Sequence, residues 1–425
     1  MPRAAVIGAG IDPSGAADAL LDGGKSTRGW RDGKVTAIVI LTVVVAANPF
    51  SYGSPVRAEH FTDREVEVAD IADRMLHGQN VVLLSPRRFG KTSLVYAAID
   101  QVRRAGGRAG YANLAQCTDR RDVAEELLRA VLSGPLSWRA ARSAELGRLI
   151  GRLRLRPEVS VGPDGVLGVH FGPGMVGQTS TELIGEVLGL LSQAGSARRP
   201  ASMAIDEFQQ VAELADVDAG IFKRLADELT GVSLVFSGSR RHVMERLATG
   251  PGAPLLGMGE PFALGPVPRE EMVGFLMTRS NAAGRAMTEA AAQLVYDLVD
   301  GIPNDVQRLA YTAFGLGGGP IDEATVRTAM ERAVGHQAAD LTALFEGLAP
   351  VQKRVLRSLG TRPRAAVYAH EFLVETGVAN QNAVTHALRR LGEAELVARQ
   401  DGVWRVASPF LREWLRAPGR PEQGV

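Results

Sequence analysis

Cysteine is almost missing from this chain: Cys117 is the only one in 425 residues. That excludes an internal disulfide framework and any multi-cysteine metal site, and it fits a reducing, cytoplasmic setting. Histidine is sparse as well, seven in all, and scattered without a metal-ligand spacing such as His-Glu-x-x-His. Neither sign of charge is in excess, the net being +1, so nucleic acid or an anionic membrane would have to be met by a local patch. Long hydrophobic runs also fall short. Val35–Ala47, "VTAIVILTVVVAA", follows Arg28, Arg31 and Lys34 but is too short for the roughly 20 residues a bilayer span requires. Its basic-then-apolar order has the form of a secretory signal, although it comes late. The plainer alternatives are a tail or an extra strand rich in Val and Ile, and stable membrane insertion is not expected.

What the chain does have is 45% hydrophobic content over 425 residues, enough to bury two or three ordinary cores. It also has three glycine-rich candidates for phosphate binding, two of which fail on context. "VIGAGIDP" near the start puts Gly8 and Gly10 in a dinucleotide pattern but Pro13 where the third glycine belongs, and close helix packing needs Gly or Ala there. "GGKST" at Gly23–Thr27 has no buried strand before it and no helix start after it, both of which the motif requires. Residues 1 to about 34 read as loosely held.

The third candidate has the right surroundings. "NVVLL", Asn80–Leu84, is a continuous apolar run expected of a strand buried on both faces. After Lys91, "TSLVYAAIDQVRRAGG" carries helical spacing and ends in glycine at Gly106, a helix stop. Between them Ser85-Pro86-Arg87-Arg88-Phe89-Gly90-Lys91-Thr92-Ser93 follows the P-loop order except that Ser85 stands at the first glycine. Gly90 lets backbone N–H groups curl toward phosphate oxygens at the positive end of a helix. Lys91 reaches the β and γ phosphates, and the Thr92 hydroxyl is placed to ligate Mg2+. Arg87 and Arg88 either add charge near the phosphates or are simply solvated.

A second strand, in "ASMAIDEFQQV", ends at Asp206 and Glu207. Asp206 is placed to hold Mg2+, and Glu207 to orient and deprotonate a water attacking the γ-phosphate. A third strand, Val232–Phe236, ends in Ser237, Gly238 and Ser239. Ser239 is a candidate to sense the γ-phosphate or position the water. Arg240 and Arg241 are either transition-state fingers or surface charge at a helix start. Upstream, Thr62 and Glu65 have capping-box spacing, with an apolar face expected through Val66, Ile71 and Leu76.

The segments "NPFSYGSPV", "FTDRE", "SPRRFGKTS", "AIDEFQ", "FSGSRR" and "GIPNDVQ" together resemble the archaeal-type ATPases of the STAND class of AAA-related P-loop NTPases, over roughly residues 48–415. The resemblance implies an additional strand between the loop strand and the Asp-Glu strand. It also implies that Phe61–Glu65, Arg64 among them, lies near the adenine, and that Gly301–Ile302–Pro303 of a helical lid contacts the nucleotide. Ser85 departs from the family's glycine, which bears on affinity.

The expected fold class is therefore α/β: a P-loop NTPase (ASCE/AAA-like) parallel sheet with an α-helical lid and a C-terminal winged-helix domain. The expected boundaries are a tail at 1–47, the ATPase domain at 48–265 with an inserted hairpin near 155–174 around "PDG", the lid at 266–338, and the winged helix at 339–425. The last module holds helices followed by two short strands around Asp401–Gly402. From residue 340 on it carries twelve Lys/Arg against nine Asp/Glu, a mild excess for DNA contact. Gln381, Asn382, Thr385, His386, Arg389 and Arg390 form its candidate recognition helix, against the alternative of a packing or autoinhibitory module with Leu388, Leu391 and Trp404 in its core.

These elements lead to a Mg2+-dependent ATPase acting as a molecular switch, with ATP tying the α/β domain to the lid and hydrolysis releasing the winged-helix module. The expected partners are ATP, a protein of unknown identity, DNA through the winged helix, and further copies of the chain. The rivals are an ATP-gated DNA-binding regulator with little turnover and, more remotely, a P-loop small-molecule kinase.

Overall fold

The computed structural model describes residues 30–31, 34–35, 47–54, 64–137, 148, 151, 157–162, 167–171 and 179–417. The chain divides into two compact units, Met1–Ala47 and Asn48–Val425. In the first, Trp30–Arg31 pairs antiparallel with Lys34–Val35. The N-terminal Gly-rich candidates, most of the apolar run before Asn48, the "PDG" turn and Thr62 lie outside the described residues.

In the second unit α1 (Glu65–Leu76) precedes β1 (Val81–Leu84), α2 (Lys91–Arg104), β2 (Arg108–Asn113) and α3 (Arg120–Ser133). The hairpin β3 (Glu158–Val161) and β4 (Leu167–His170) pairs antiparallel. Then come α4 (Ser180–Ala194), β5 (Ala201–Asp206), α5 (Gly220–Glu228), β6 (Val232–Gly238), α6 (Arg241–Ala248) and β7 (Pro261–Ala263). The main sheet runs β2-β5-β6-β1-β7 with every pair parallel. The strand implied between the loop strand and the Asp-Glu strand is β6, two residues longer than the sequence reading.

Strand periodicity splits the side chains between two faces. Val82 and Leu84 of β1, Met203 and Ile205 of β5, and Leu234 and Phe236 of β6 join the core formed with α3 and α4. Val81, Leu83, Ala204 and Val235 join the opposite core with α1 and α2. Both faces are covered, which is why these strands read as unbroken apolar runs. Helix α1 meets the sheet through Val68, Ile71, Ala72 and Met75. Val66, expected on its apolar face, is 80% exposed, and the helix starts at Arg64 without a side-chain cap.

Beyond β7 the chain is helical: α7 (Arg269–Ala282), α8 (Glu289–Leu298), α9 (Pro303–Gly315), α10 (Glu323–His336) and α11 (Ala338–Glu346). Next come α12 (Pro350–Thr361), α13 (His370–Thr376), α14 (Gln381–Glu393), the hairpin β8 (Val397–Gln400) and β9 (Val403–Val406), and α15 (Pro409–Arg416). Asp401 and Gly402 both have positive φ, 50° and 81°, as a tight hairpin turn requires. Helices α7 to α10, where the lid was expected, and this terminal array bury one shared core, from Val267 and Leu309 to Leu388, Leu391 and Trp414. Trp404 packs against its edge.

Candidate functional site

The tips of β1, β5 and β6 point the same way in a parallel sheet, so the loops after them converge. Lys91 opens α2, and Gly90 before it has φ 82°, in the left-handed region that glycine enters without cost. A Cβ there would meet nothing, so conformation and not space selects glycine. Ser85 is fully buried and its hydroxyl donates to the Pro86 carbonyl at 3.1 Å.

The Lys91 ammonium is buried and donates to the carbonyls of Pro86, at 3.0 Å, and Ser85, at 3.4 Å. Burial lowers its pKa, while the charges of Asp206, Glu207 and Glu395 partly counter that. A cation so poorly solvated is suited to an anionic ligand.

Thr92 and Asp206 meet across the sheet. The Thr92 hydroxyl donates to Asp206 Oδ2 at 2.8 Å, which turns its proton away and leaves its oxygen lone pairs for a cation. Asp206 is 1% exposed and takes three more donors: Tyr111 OH on Oδ2 at 2.9 Å, and Ser237 Oγ at 2.6 Å and the Glu207 N–H at 3.0 Å on Oδ1. Among the described residues no group of three or more His, Cys, Asp or Glu gathers for a metal. A divalent cation would therefore lean on Thr92, on Asp206 and on oxygens of the ligand, a donor set suited to Mg2+.

Glu207 follows with φ 54°, a left-handed conformation that is uncommon outside glycine and concentrates at functional sites. Its Oε2 accepts from Ser239 Oγ at 2.8 Å and from Gln209 Nε2 at 2.5 Å. Arg240 pairs with Glu213 near the surface, beside this group.

The two loop arginines reach different modules. Arg88, with φ 71°, lies 3.5 Å from Asp305 in the first turn of α9, and its carbonyl accepts from the Asn304 N–H at 3.2 Å. Pro303 thus opens α9 directly beside the loop. Asp305 is fully buried, and desolvation raises its pKa despite Arg88 and Arg308. Arg87 lies 3.3 Å from Glu395, in the turn between α14 and β8. Arg64 is 3% exposed and donates to Gly265 at 2.6 Å, to Glu67 at 3.1 Å and to Phe89, so its guanidinium is spent on protein acceptors around the loop's end. Burial lowers its pKa.

The structure brings together Ser85, Lys91, Thr92, Asp206, Glu207 and Ser239, with Arg87, Arg88, Phe89, Ser93 and Pro303 around them. Arg240 stands at the rim. Tyr111 and Gln209 were missed by the sequence reading. Nothing local marks Tyr111, because its place beside Asp206 comes from the β2–β5 register, which pairs Asn113 with Asp206. Gln209 sits two residues past Glu207, close enough for local spacing to have singled it out.

In fold the chain is similar to a Walker-type ATPase of Pyrococcus abyssi: TM-score 0.62 at 17% identity, covering 87% of this chain and all of that one. The fold is that of a P-loop ATPase. With lower scores it also aligns with the Aeropyrum pernix ORC2 protein in complexes with ADPNP and ADP, at TM-score 0.49 and 16% identity over 83% of this chain and 91% of that one. The Aeropyrum pernix ORC1 protein in complex with DNA aligns at 0.46 and 15% over 85% and 93%. No protein-family model and no curated protein matches the sequence. In this P-loop ATPase fold the five-stranded order with β6 between β1 and β5 places the acidic pair opposite the Gly90–Thr92 turn, and among the described residues no helix is long and apolar enough to cross a membrane.

Proposed function

We propose that the protein is a Mg2+-dependent ATP-binding and ATP-hydrolysing switch of the STAND/AAA-related type, in which nucleotide state is coupled to the C-terminal winged-helix module. The observation that carries this reading is the 2.8 Å bond from Thr92 Oγ1 to Asp206 Oδ2, because it joins the phosphate loop to the acidic strand tip across the sheet.

In this reading the N–H groups of the Phe89–Ser93 turn and the Lys91 ammonium hold the β and γ phosphates. Ser85, Pro86, Arg87 and Arg88 form the outer wall, and Arg64 and Pro303 frame the base side. When bound, Mg2+ neutralises phosphate charge that the protein alone leaves uncompensated. Glu207 takes the proton of the attacking water as its oxygen bonds to the γ-phosphorus and the bridging P–O bond breaks, releasing ADP. Ser239 orients Glu207, and Arg240, freed from Glu213, adds charge at the rim. Asp305 and Glu395 bring the lid and the terminal module to the same loop, so filling the loop alters the balance of both contacts.

The test is nucleotide binding and turnover with Lys91→Ala and Glu207→Gln. The lysine variant should lose ATP binding; the glutamate variant should retain ATP and lose hydrolysis. Unchanged turnover in the glutamate variant overturns its assignment. A DNA-binding regulator gated by ATP is favoured by one observation: Gln381, Asn382, Thr385, His386 and Arg389 are all exposed along α14. Salt-dependent duplex binding with and without ATP decides it, and no binding in either state removes it.

A further inference from the structure

Gln209 is 4% exposed, and its amide oxygen has no hydrogen-bond partner. The Nε2 end is fully occupied: it donates to Glu207 Oε2 at 2.5 Å and to Ser239 Oγ at 3.4 Å. Turning the amide over would set its oxygen against the Glu207 carboxylate, so the carboxylate dictates this orientation and leaves the oxygen stranded. The oxygen is lodged against Gly238, where a built Cβ would fall 2.1 Å from it and 2.8 Å from Met244 Cγ. Gly238 is therefore the space that lets the amide lie under Glu207. An unpaired buried acceptor lowers stability, and a chain that keeps one at a strand tip next to a residue with φ 54° breaks local rules where function is concentrated.

We propose that Gln209 is the positioning residue for the Glu207 carboxylate in ATP hydrolysis, a role that rests on the ATPase reading above. Both donors, Gln209 Nε2 and Ser239 Oγ, fall on Oε2, and among the described residues none falls on Oε1. The carboxylate is thereby locked with Oε1 as the oxygen that receives the proton from water. With its amide N–H groups spent on Glu207 and Ser239, Gln209 acts through Glu207.

The experiment compares wild type, Gln209→Met and Gln209→Glu for kcat, KM, ATP affinity and Tm. Methionine keeps the length of the side chain, removes the donor and removes the stranded oxygen. The expected result is a kcat lower by about tenfold or more with ATP affinity within about twofold and a Tm equal to or above wild type. Gln209→Glu, which sets a second carboxylate against Glu207, should lower kcat further with ATP still bound. A methionine variant with wild-type kcat overturns the proposal. So does a loss of kcat matched by equal losses of ATP affinity and Tm, which marks a purely structural role. Wild-type protein that binds ATP but never hydrolyses it would sink the ATPase reading itself, an outcome visible before any variant is made.

Discussion

Arg87 Nε lies 3.3 Å from Glu395 Oε2, so the phosphate loop and the C-terminal module share an ion pair at the mouth of the candidate site. Glu395 has φ 56°, and its charge also reaches Lys91. In the proposed ATP-bound state a phosphate group would compete with this carboxylate for the same cations. Replacing Glu395 with Gln should therefore tighten ATP binding by roughly two- to five-fold, the scale of an exposed ion pair. The gain should shrink as salt is raised. Calorimetric titration at two ionic strengths measures it, and weaker binding in the variant would refute the competition.

Tyr111 lends its hydroxyl to the same Asp206 oxygen as Thr92, at 2.9 Å. Burial first, and then the neighbouring Asp206 charge, push its pKa far upward, so the phenol remains a donor at every working pH. Tyr111→Phe keeps the ring, including its packing on Tyr96 at 4.5 Å between centroids, and removes only the donor. The Mg2+ concentration for half-maximal turnover should rise about tenfold, as for other groups that hold a metal-site carboxylate in place. ADP binding in the presence of a chelator should not change. An unaltered Mg2+ requirement would mean that Asp206 needs no help from β2.

How far the site was legible follows from how local each signal is. Ser85–Ser93 and Asp206–Glu207 announce themselves because strand, loop and helix are contiguous in sequence. Tyr111 carries no such mark: the β2–β5 register that sets it beside Asp206 is a tertiary fact. The same limit moved the face of α1. Val66 has an apolar side chain at a plausible spacing yet is exposed, and the buried set starts at Val68, because the choice among overlapping helical stripes is made by the sheet beneath. The local pattern suggested a change of module near residue 339, but it could not show that Leu309 and Leu388, on either side of that point, would share one core.

Asp305 gives a pH-dependent prediction. Its pKa is raised above the ordinary carboxylate value chiefly by burial, against the opposing pull of Arg88. The folded protein therefore holds this proton more tightly than the unfolded chain does. Stability consequently falls as pH rises from the ordinary carboxylate range through the folded pKa. Asp305→Asn removes that titration. The Tm of the variant minus that of wild type should become more favourable as pH increases from about 4 to neutrality. A difference that stays flat over this range would mean that Arg88 and Asn304 fully offset the desolvation.

Phe50 tests whether the segment before α1 is part of the lid. It is 2% exposed in the core shared by the lid and the terminal module, edge-on to Phe314 with ring centroids 6.2 Å apart. The chain on either side is pinned to α9: Asn48 donates to the Tyr311 carbonyl at 2.9 Å, the Ser51 N–H to Gln307 at 3.3 Å and the Gly53 N–H to Asn304 at 3.0 Å. Because Asn304 also donates its N–H to the carbonyl of Arg88, Phe50 steadies the end of the lid that faces the loop. Phe50→Ala should cost about 3–5 kcal/mol of unfolding free energy, as for a large aromatic removed from a packed interior. Tyr52, 40% exposed, should cost less when replaced by Ala, about 1–2 kcal/mol, since it surrenders an edge contact with Tyr311 and a solvent-facing stack under Arg308. Denaturant titrations with equal slopes would give both values. Phe50→Ala within about 0.5 kcal/mol of wild type would show that residues 48–53 rest on the lid without contributing to it.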